Sequence, residues 1–288
     1  MAVHSGSVVA VLVSCGAGAT WSCVERSAAN SGQPRAPNVR YNYLNPDVAL
    51  NANPDIAVRC RELTKTYGTG ASSVVALRGI DLDVHRGELL MVVGPSGCGK
   101  TTLISIIGTI LEQDGGQCVV LDRNVEKMDE TERALFRGTS IGFVFQLFNL
   151  LPALTLLDNV LVPLLISGAS WVEGATRARA ALEAVGLGAR LSATPGQLSV
   201  GQQQRVAIAR ALVHDPKLVL CDEPTSSLDH ETGLGMMRLL RDVARRPERA
   251  LIVVTHDPRV LEFADRIARM DDGKIVEVVP GHDRVHAT

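Results

Sequence analysis

The sequence predicts an α/β fold: a P-loop NTPase core of mainly parallel sheet, an N-terminal antiparallel β layer and an inserted α-helical subdomain. Three observations carry this. The apolar runs Leu89–Val93, Ile141–Phe145, Leu218–Cys221 and Leu251–Val254 are continuous rather than alternating, as strands buried on both faces of a sheet are. Each run ends on a residue with chemistry to offer, namely Gly94, Gln146, Asp222 and His256. Open α/β sheets bind ligands beyond the carboxyl ends of their strands. Finally, GPSGCGKTT (Gly94–Thr102) stands between the first run and the apolar segment LISIIGTIL, the strand-then-helix setting that a phosphate loop requires.

In chain order, residues 1–55 are rich in Gly, Ser, Ala, Asn and Pro without periodicity, and read as a disordered extension or a mis-assigned start. The run Val8–Val13 before Cys15 faintly resembles a secretory or lipoprotein signal, yet it lacks a Lys/Arg flank and is short. The regular domain is expected over 56–280. Within it, 57–87 read as short strands with turns, the antiparallel layer. About 150–200 read as the helical subdomain, on the periodicity of DNVLVPLLI and RARAALEAVGL. Residues 281–288 form a tail.

Composition narrows the class. Hydrophobic residues make up 46% of the chain, enough for a core, while aromatics are only 3%, too few for platforms that stack single-stranded bases. The net charge of −2 comes without a basic run, so no nucleic acid partner is implied. Six cysteines are scattered with no CxxC pair, which argues for a reducing compartment and against a disulfide framework or zinc site. No apolar run reaches the ~18 residues that span a bilayer; if the protein serves a membrane, another chain has to supply the span.

The phosphate loop matches G-x-x-x-x-G-K-[ST]. Gly94, Gly97 and Gly99 permit the tight turns, and the backbone of Pro95, Ser96 and Cys98 completes the cradle. Lys100 brings a point charge to the β- and γ-phosphates of ATP. Thr101, followed by Thr102, offers a hydroxyl to Mg²⁺. Cys98 lies in the loop itself, so alkylation there is expected to block nucleotide entry. In KLVLCDEPTSSLD, Asp222 ends an apolar strand and suits Mg²⁺; Glu223, one residue on, is placed to polarise a water. His256 in VTHD is placed to sense the γ-phosphate, and Gln146 to orient water or Mg²⁺ from the other side. In QLSVGQQQRVAIARAL, Ser199 and Gly201 open a helix built to hold an anion, although the chain already has a phosphate cradle about a hundred residues earlier.

The order phosphate loop, Gln146, LSVGQ, LVLCDEP, SSLD, His256 resembles the ABC-transporter ATPases over roughly residues 57–280. The wording of IGFVFQLFNLLPALTLLDNVLVPLL, PGQLSVGQQQRVAIARAL and VTHDPRVLEFADRIARMDDGKIV is similar to the macrolide-export and lipoprotein-release branch, the MacB/LolD/DevA type. The resemblance implies a homodimer in which each ATP lies between one subunit's phosphate loop and the other's signature helix. Ser199, Gly201 and Gln202 then face the partner's nucleotide. It further implies that Tyr67 stacks on adenine, that Asp229 of SSLD couples the two sites, and that the surface around Gln146 and the helical insert receives a membrane subunit. The function it implies is ATP hydrolysis driving an integral-membrane permease, with a periplasmic adaptor as a further partner, at the cytoplasmic face of the inner membrane. An uptake-system ATPase is the alternative within transport. A soluble ABC ATPase is the alternative outside it, but such proteins use zinc cysteines, a long coiled coil or tandem ATPase domains, and this sequence shows none.

The usual LSGGQ of that family stands here as LSVGQ. A β-branched residue tolerates positive φ badly, so Val200 is expected in ordinary helical backbone while Ser199 and Gly201 keep the contacting positions. Val200→Gly is therefore expected to leave ATP turnover within about twofold of the native rate in a steady-state assay. A large gain would show that the valine compromises the site.

Overall fold

The computed structural model describes residues 55–244 and 246–281. The expectations for residues 1–54 and for the tail beyond 281 lie outside them. Two sheets organise the described chain. The first contains β1 (Ile56–Tyr67), β2 (Val74–His85), β4 (Gly115–Val120) and β5 (Arg123–Asn124), antiparallel in the order β2-β1-β4-β5. The second contains β3 (Leu89–Val93), β6 (Ile141–Val144), β7 (Leu218–Asp222), β8 (Ala250–Thr255), β9 (Arg266–Asp271) and β10 (Lys274–Pro280), in the order β10-β9-β3-β8-β7-β6. All its neighbours run parallel except β10 against β9.

The continuous apolar runs follow from burial on both sides. Leu89 and Met91 of β3, Val219 and Cys221 of β7, and Leu251 and Val253 of β8 face one core. The alternate residues Leu90, Val92, Leu218, Leu220, Ile252 and Val254 face the other. The second core is shared with the antiparallel sheet and with α1 (Lys100–Ile107), through Leu103, Ile104, Ile106 and Ile107. The first is shared with α3 (Leu156–Ile166), α4 (Trp171–Ala184), α5 (Val200–Leu212) and α6 (His230–Ala244). Each such fully buried aliphatic side chain contributes about 1.5–3 kcal/mol.

Where structure and sequence reading differ, the cause is local. The layer expected to consist of short strands is built on two strands of 12 residues each. β1 carries bulges between Cys60 and Thr64, with Glu62 at φ 48°, and these break the alternation that would have announced a long strand. Strands β4, β5, β9 and β10 and helix α2 (Glu130–Ser140) add to the expected set. The helix is closed at its start by a reciprocal Asp129/Glu132 capping box. Helices α3 and α4 lie between residues 150 and 200, with Thr155 and Ser170 as N-caps.

The loop leading from β6 into α3 is tied down by one buried side chain. Asn159 Oδ1 accepts from Leu151 N–H at 2.7 Å, and Nδ2 donates to Leu151 O at 3.0 Å with Leu154 O and Thr155 O also within 3.2 Å. Asn159→Ala is expected to cost about 1–3 kcal/mol, the price of leaving such groups unpaired, read as a lower urea midpoint at unchanged m-value.

Candidate nucleotide site

The loop after β3 is shaped by close backbone approaches beneath it. A Cβ on Gly94 would lie 2.0 Å from Met270 O, and one on Gly99 2.4 Å from Ala76 O. Gly97 meets nothing within 4 Å but has φ 82°. The first two are glycine for lack of room and the third for its backbone angle. Gly99 caps α1 with no side-chain hydrogen bond, so the first N–H groups of that helix are left for an anion. Lys100 is 7% exposed, and its Nζ donates to Gly94 O and Pro95 O, both at 2.8 Å. These bonds hold the ammonium over the loop, and phosphate oxygens are stronger acceptors than the carbonyls. Ser96 is exposed on the same turn. Cys98 is buried at 5% exposure, with Sγ 3.8 Å from Lys100 Nζ. The expectation of a thiol open to alkylation is thereby corrected: in this conformation the sulfur packs under the loop.

Parallel pairing brings the acidic strand end alongside. β7 pairs with β8 through Asp222 and Val254, and β8 with β3 through Thr255 and Val93. Thr101 Oγ1 donates to Asp222 Oδ1 at 3.2 Å. Burial pushes the Asp222 carboxyl above its usual range, and the neighbouring Glu223 adds to this, against the Thr101 bond and the Lys100 charge. A desolvated carboxylate beside a hydroxyl is an oxygen donor pair of the kind Mg²⁺ takes. Glu223 has φ 49°, with its N–H bonded to Val254 O at 3.0 Å. Its Oε1 lies 2.8 Å from His256 Nδ1. A non-glycine residue pinned in left-handed backbone at the tip of a buried strand is strain placed at a working position.

The other expected residues occupy the same edge less tightly. Gln146 is exposed in the turn after β6, one strand beyond Asp222; its side chain makes no hydrogen bond to the phosphate loop among the described residues. Tyr67, 42% exposed, places its hydroxyl 3.3 Å from Thr102 Oγ1, so the aromatic ring stands beside the phosphate loop, on the antiparallel layer. At the start of α5, Ser199 Oγ accepts from Gln202 N–H at 3.4 Å, and Gln202 Oε1 accepts from Ser199 N–H at 3.1 Å. The cap uses the serine as acceptor and leaves its own proton to donate outward. Val200 is the first helical residue, 43% exposed, and its φ is not positive, as the sequence reading required. A Cβ on Gly201 would lie 3.0 Å from Thr232 Cγ2. Asp229 Oδ1 in turn accepts from Thr232 N–H at 3.0 Å, and these bonds hold its carboxyl below the usual range. The signature helix and the loop of Asp229 therefore meet within one chain. Sequence reasoning missed Asn159 and Arg210; both lie inside quoted motifs, and neither spacing nor composition marks them.

A family model described as "ABC transporter" matches residues 77–226. The chain is 44% identical over 218 residues to the lipoprotein-releasing system ATP-binding protein LolD of Pseudomonas syringae pv. tomato, covering 76% of this chain and 96% of that protein. It is 42% identical over 225 residues to the macrolide export ATP-binding/permease protein MacB of Marinobacter nauticus, covering 78% of this chain and 35% of that one. Among solved structures it is similar to the dimeric post-hydrolysis state of the ATP-binding cassette MJ0796 bound to ADP and Pi. The TM-score is 0.73 and the identity 38%, over 78% of this chain and 99% of that chain.

The raised carboxyl of Asp222 has a consequence for stability. The folded state keeps this proton to a higher pH than the unfolded chain, which releases it near the usual value of 3.8. Between those two pH values folding is coupled to proton uptake, and stability falls as pH rises. Asp222→Asn, which keeps an acceptor for Thr101, is expected to raise the nucleotide-free protein's stability at pH 7. The gain should shrink towards pH 4 in parallel urea titrations.

Proposed function

The chain belongs to the ABC transporter family, and from that membership we propose that it is the ATP-hydrolysing subunit of an export-type or force-transmitting transporter. ATP with Mg²⁺ is its cofactor and ATP hydrolysis its reaction. The observation that carries the residue assignment is the Thr101–Asp222 hydrogen bond with the Glu223–His256 pair on the next residue along the same edge.

On this reading Lys100 exchanges its carbonyl partners for β- and γ-phosphate oxygens, and the free N–H groups at the start of α1 bind the same phosphates. Tyr67 stacks on the adenine. Thr101 and Asp222, with Gln146 nearby, would hold Mg²⁺, which would supply positive charge against the phosphates when bound. Glu223 accepts a hydrogen bond from the attacking water, which forms a bond to the γ-phosphorus as the bond to the β–γ bridging oxygen breaks. His256 orients Glu223 and touches the γ-phosphate. Two copies pair head to tail, so that Ser199, Gly201 and Gln202 of one close over the nucleotide of the other. Asp229 links the two sites. The capped but outward-donating Ser199 supports this arrangement, as does the dimeric state of the cassettes the chain resembles.

No helix among the described residues is long and apolar enough to cross a membrane. The passage is supplied by an integral-membrane permease of the MacB/FtsX-like kind on another chain, with a periplasmic adaptor where cargo leaves the envelope. The subunit works peripherally at the cytoplasmic face of the inner membrane. Similarity to LolD and MacB supports a lipid, lipoprotein or drug cargo.

Lys100→Ala is expected to abolish ATP turnover, and Glu223→Gln to reduce it about 10²-fold or more while trapping pairs in Mg·ATP by light scattering. Retained hydrolysis in Lys100→Ala, or monomers throughout with Glu223→Gln, would overturn the assignment.

A further inference from the structure

Arg210 sits in the last turn of α5, eleven residues after Ser199, about 16 Å along the helix at about 1.5 Å per residue. Among the described residues no carboxylate pairs with it. Instead Nη2 donates to Phe148 O at 2.6 Å and Nη1 to Asn149 O at 2.5 Å. Burial alone pulls this guanidinium below its usual pKa, so a desolvated charge is committed to two main-chain carbonyls.

Those carbonyls belong to an unusual turn. Phe148 and Asn149 have φ 59° and 49°, two consecutive non-glycine residues in left-handed backbone, which is costly for a bulky phenylalanine. These two residues follow Gln146 with only Leu147 between. Asn159 fixes the following segment through Leu151, Leu154 and Thr155. Between Gln146 and Leu151, the side-chain anchor on the turn is therefore Arg210. Its planar fork meets two carbonyls at once, a geometry that lysine lacks.

We propose that Arg210 is a positioning residue: it holds the strained turn that carries Gln146, and so ties Gln146 to the helix whose first turn presents Ser199. A displacement of α5 when Ser199 engages nucleotide reaches Gln146 through this fork. The inference rests on the reading of Gln146 and Ser199 given above.

The experiment compares ATP turnover and its Mg²⁺ dependence in the native chain, Arg210→Lys, Gln146→Ala and the double variant, with folding checked by circular dichroism. Arg210→Lys is expected to lower kcat about tenfold, to leave the KM for ATP within about twofold, and to raise the Mg²⁺ needed for half-maximal rate. The double variant is expected to be no slower than Gln146→Ala alone, because residues acting through one another do not add. Native kcat in folded Arg210→Lys, or losses that multiply in the double variant, overturn the inference while leaving the site assignment standing. Gln146→Ala without effect overturns both. If Arg210→Lys does not accumulate folded, it is made together with Phe148→Gly and Asn149→Gly, which adopt left-handed backbone freely. Recovered folding and turnover support the role, and failure to recover overturns it.

Discussion

The structure depends on the register of three parallel strands. Because Val93 pairs with Thr255 and Asp222 with Val254, the phosphate loop, the acidic pair and His256 begin at one height on one edge. A slip of one residue would turn each buried strand over, exchanging its two core faces. The two cores forbid that, since alternate residues of β3, β7 and β8 are already committed to opposite sides. Packing thus does the aiming of the phosphate loop, the acidic pair and His256.

Against that rigid edge, the two helix starts facing anions are handled differently. The start of α1 has no side-chain cap, which leaves its amides hungry for phosphate. The start of α5 has a complete capping box of Ser199 and Gln202, worth about 1 kcal/mol to a helix. The first is a receptor within the chain and gains its partners from the ligand. The second is stable alone, as the proposed arrival of its ligand on another subunit requires. Asp222 follows the logic of the first: burial disfavours its charge.

Much of this was legible in the sequence, for reasons that can be named. Strands buried on both faces leave unbroken apolar runs, and Leu89–Val93 was read to the residue. The phosphate loop was legible because its glycines answer to backbone clashes and angles that no other residue satisfies. The long β1 was not, because a bulge at Glu62 scrambles its period. The proximity of Tyr67 to Thr102 was not either, since it joins the end of β1 to the first turn of α1, far apart in the chain. Arg210 illustrates the limit: an arginine late in an amphipathic helix reads as a solvated charge. Here it is half-buried, its fork on the carbonyls of Phe148 and Asn149, which turn left-handed in a segment with no glycine to announce it.

Val200 carries a last implication. Where relatives of the signature have a bare glycine, this chain shows an isopropyl group 43% exposed at the head of α5. In the head-to-tail pair proposed above that group would be withdrawn from water, a hydrophobic gain of about 1 kcal/mol. Such a gain is entropic near room temperature and fades on cooling. Closure of the proposed dimer would then carry a thermal sensitivity, with a more negative heat capacity of association, that a glycine at the same place would not confer.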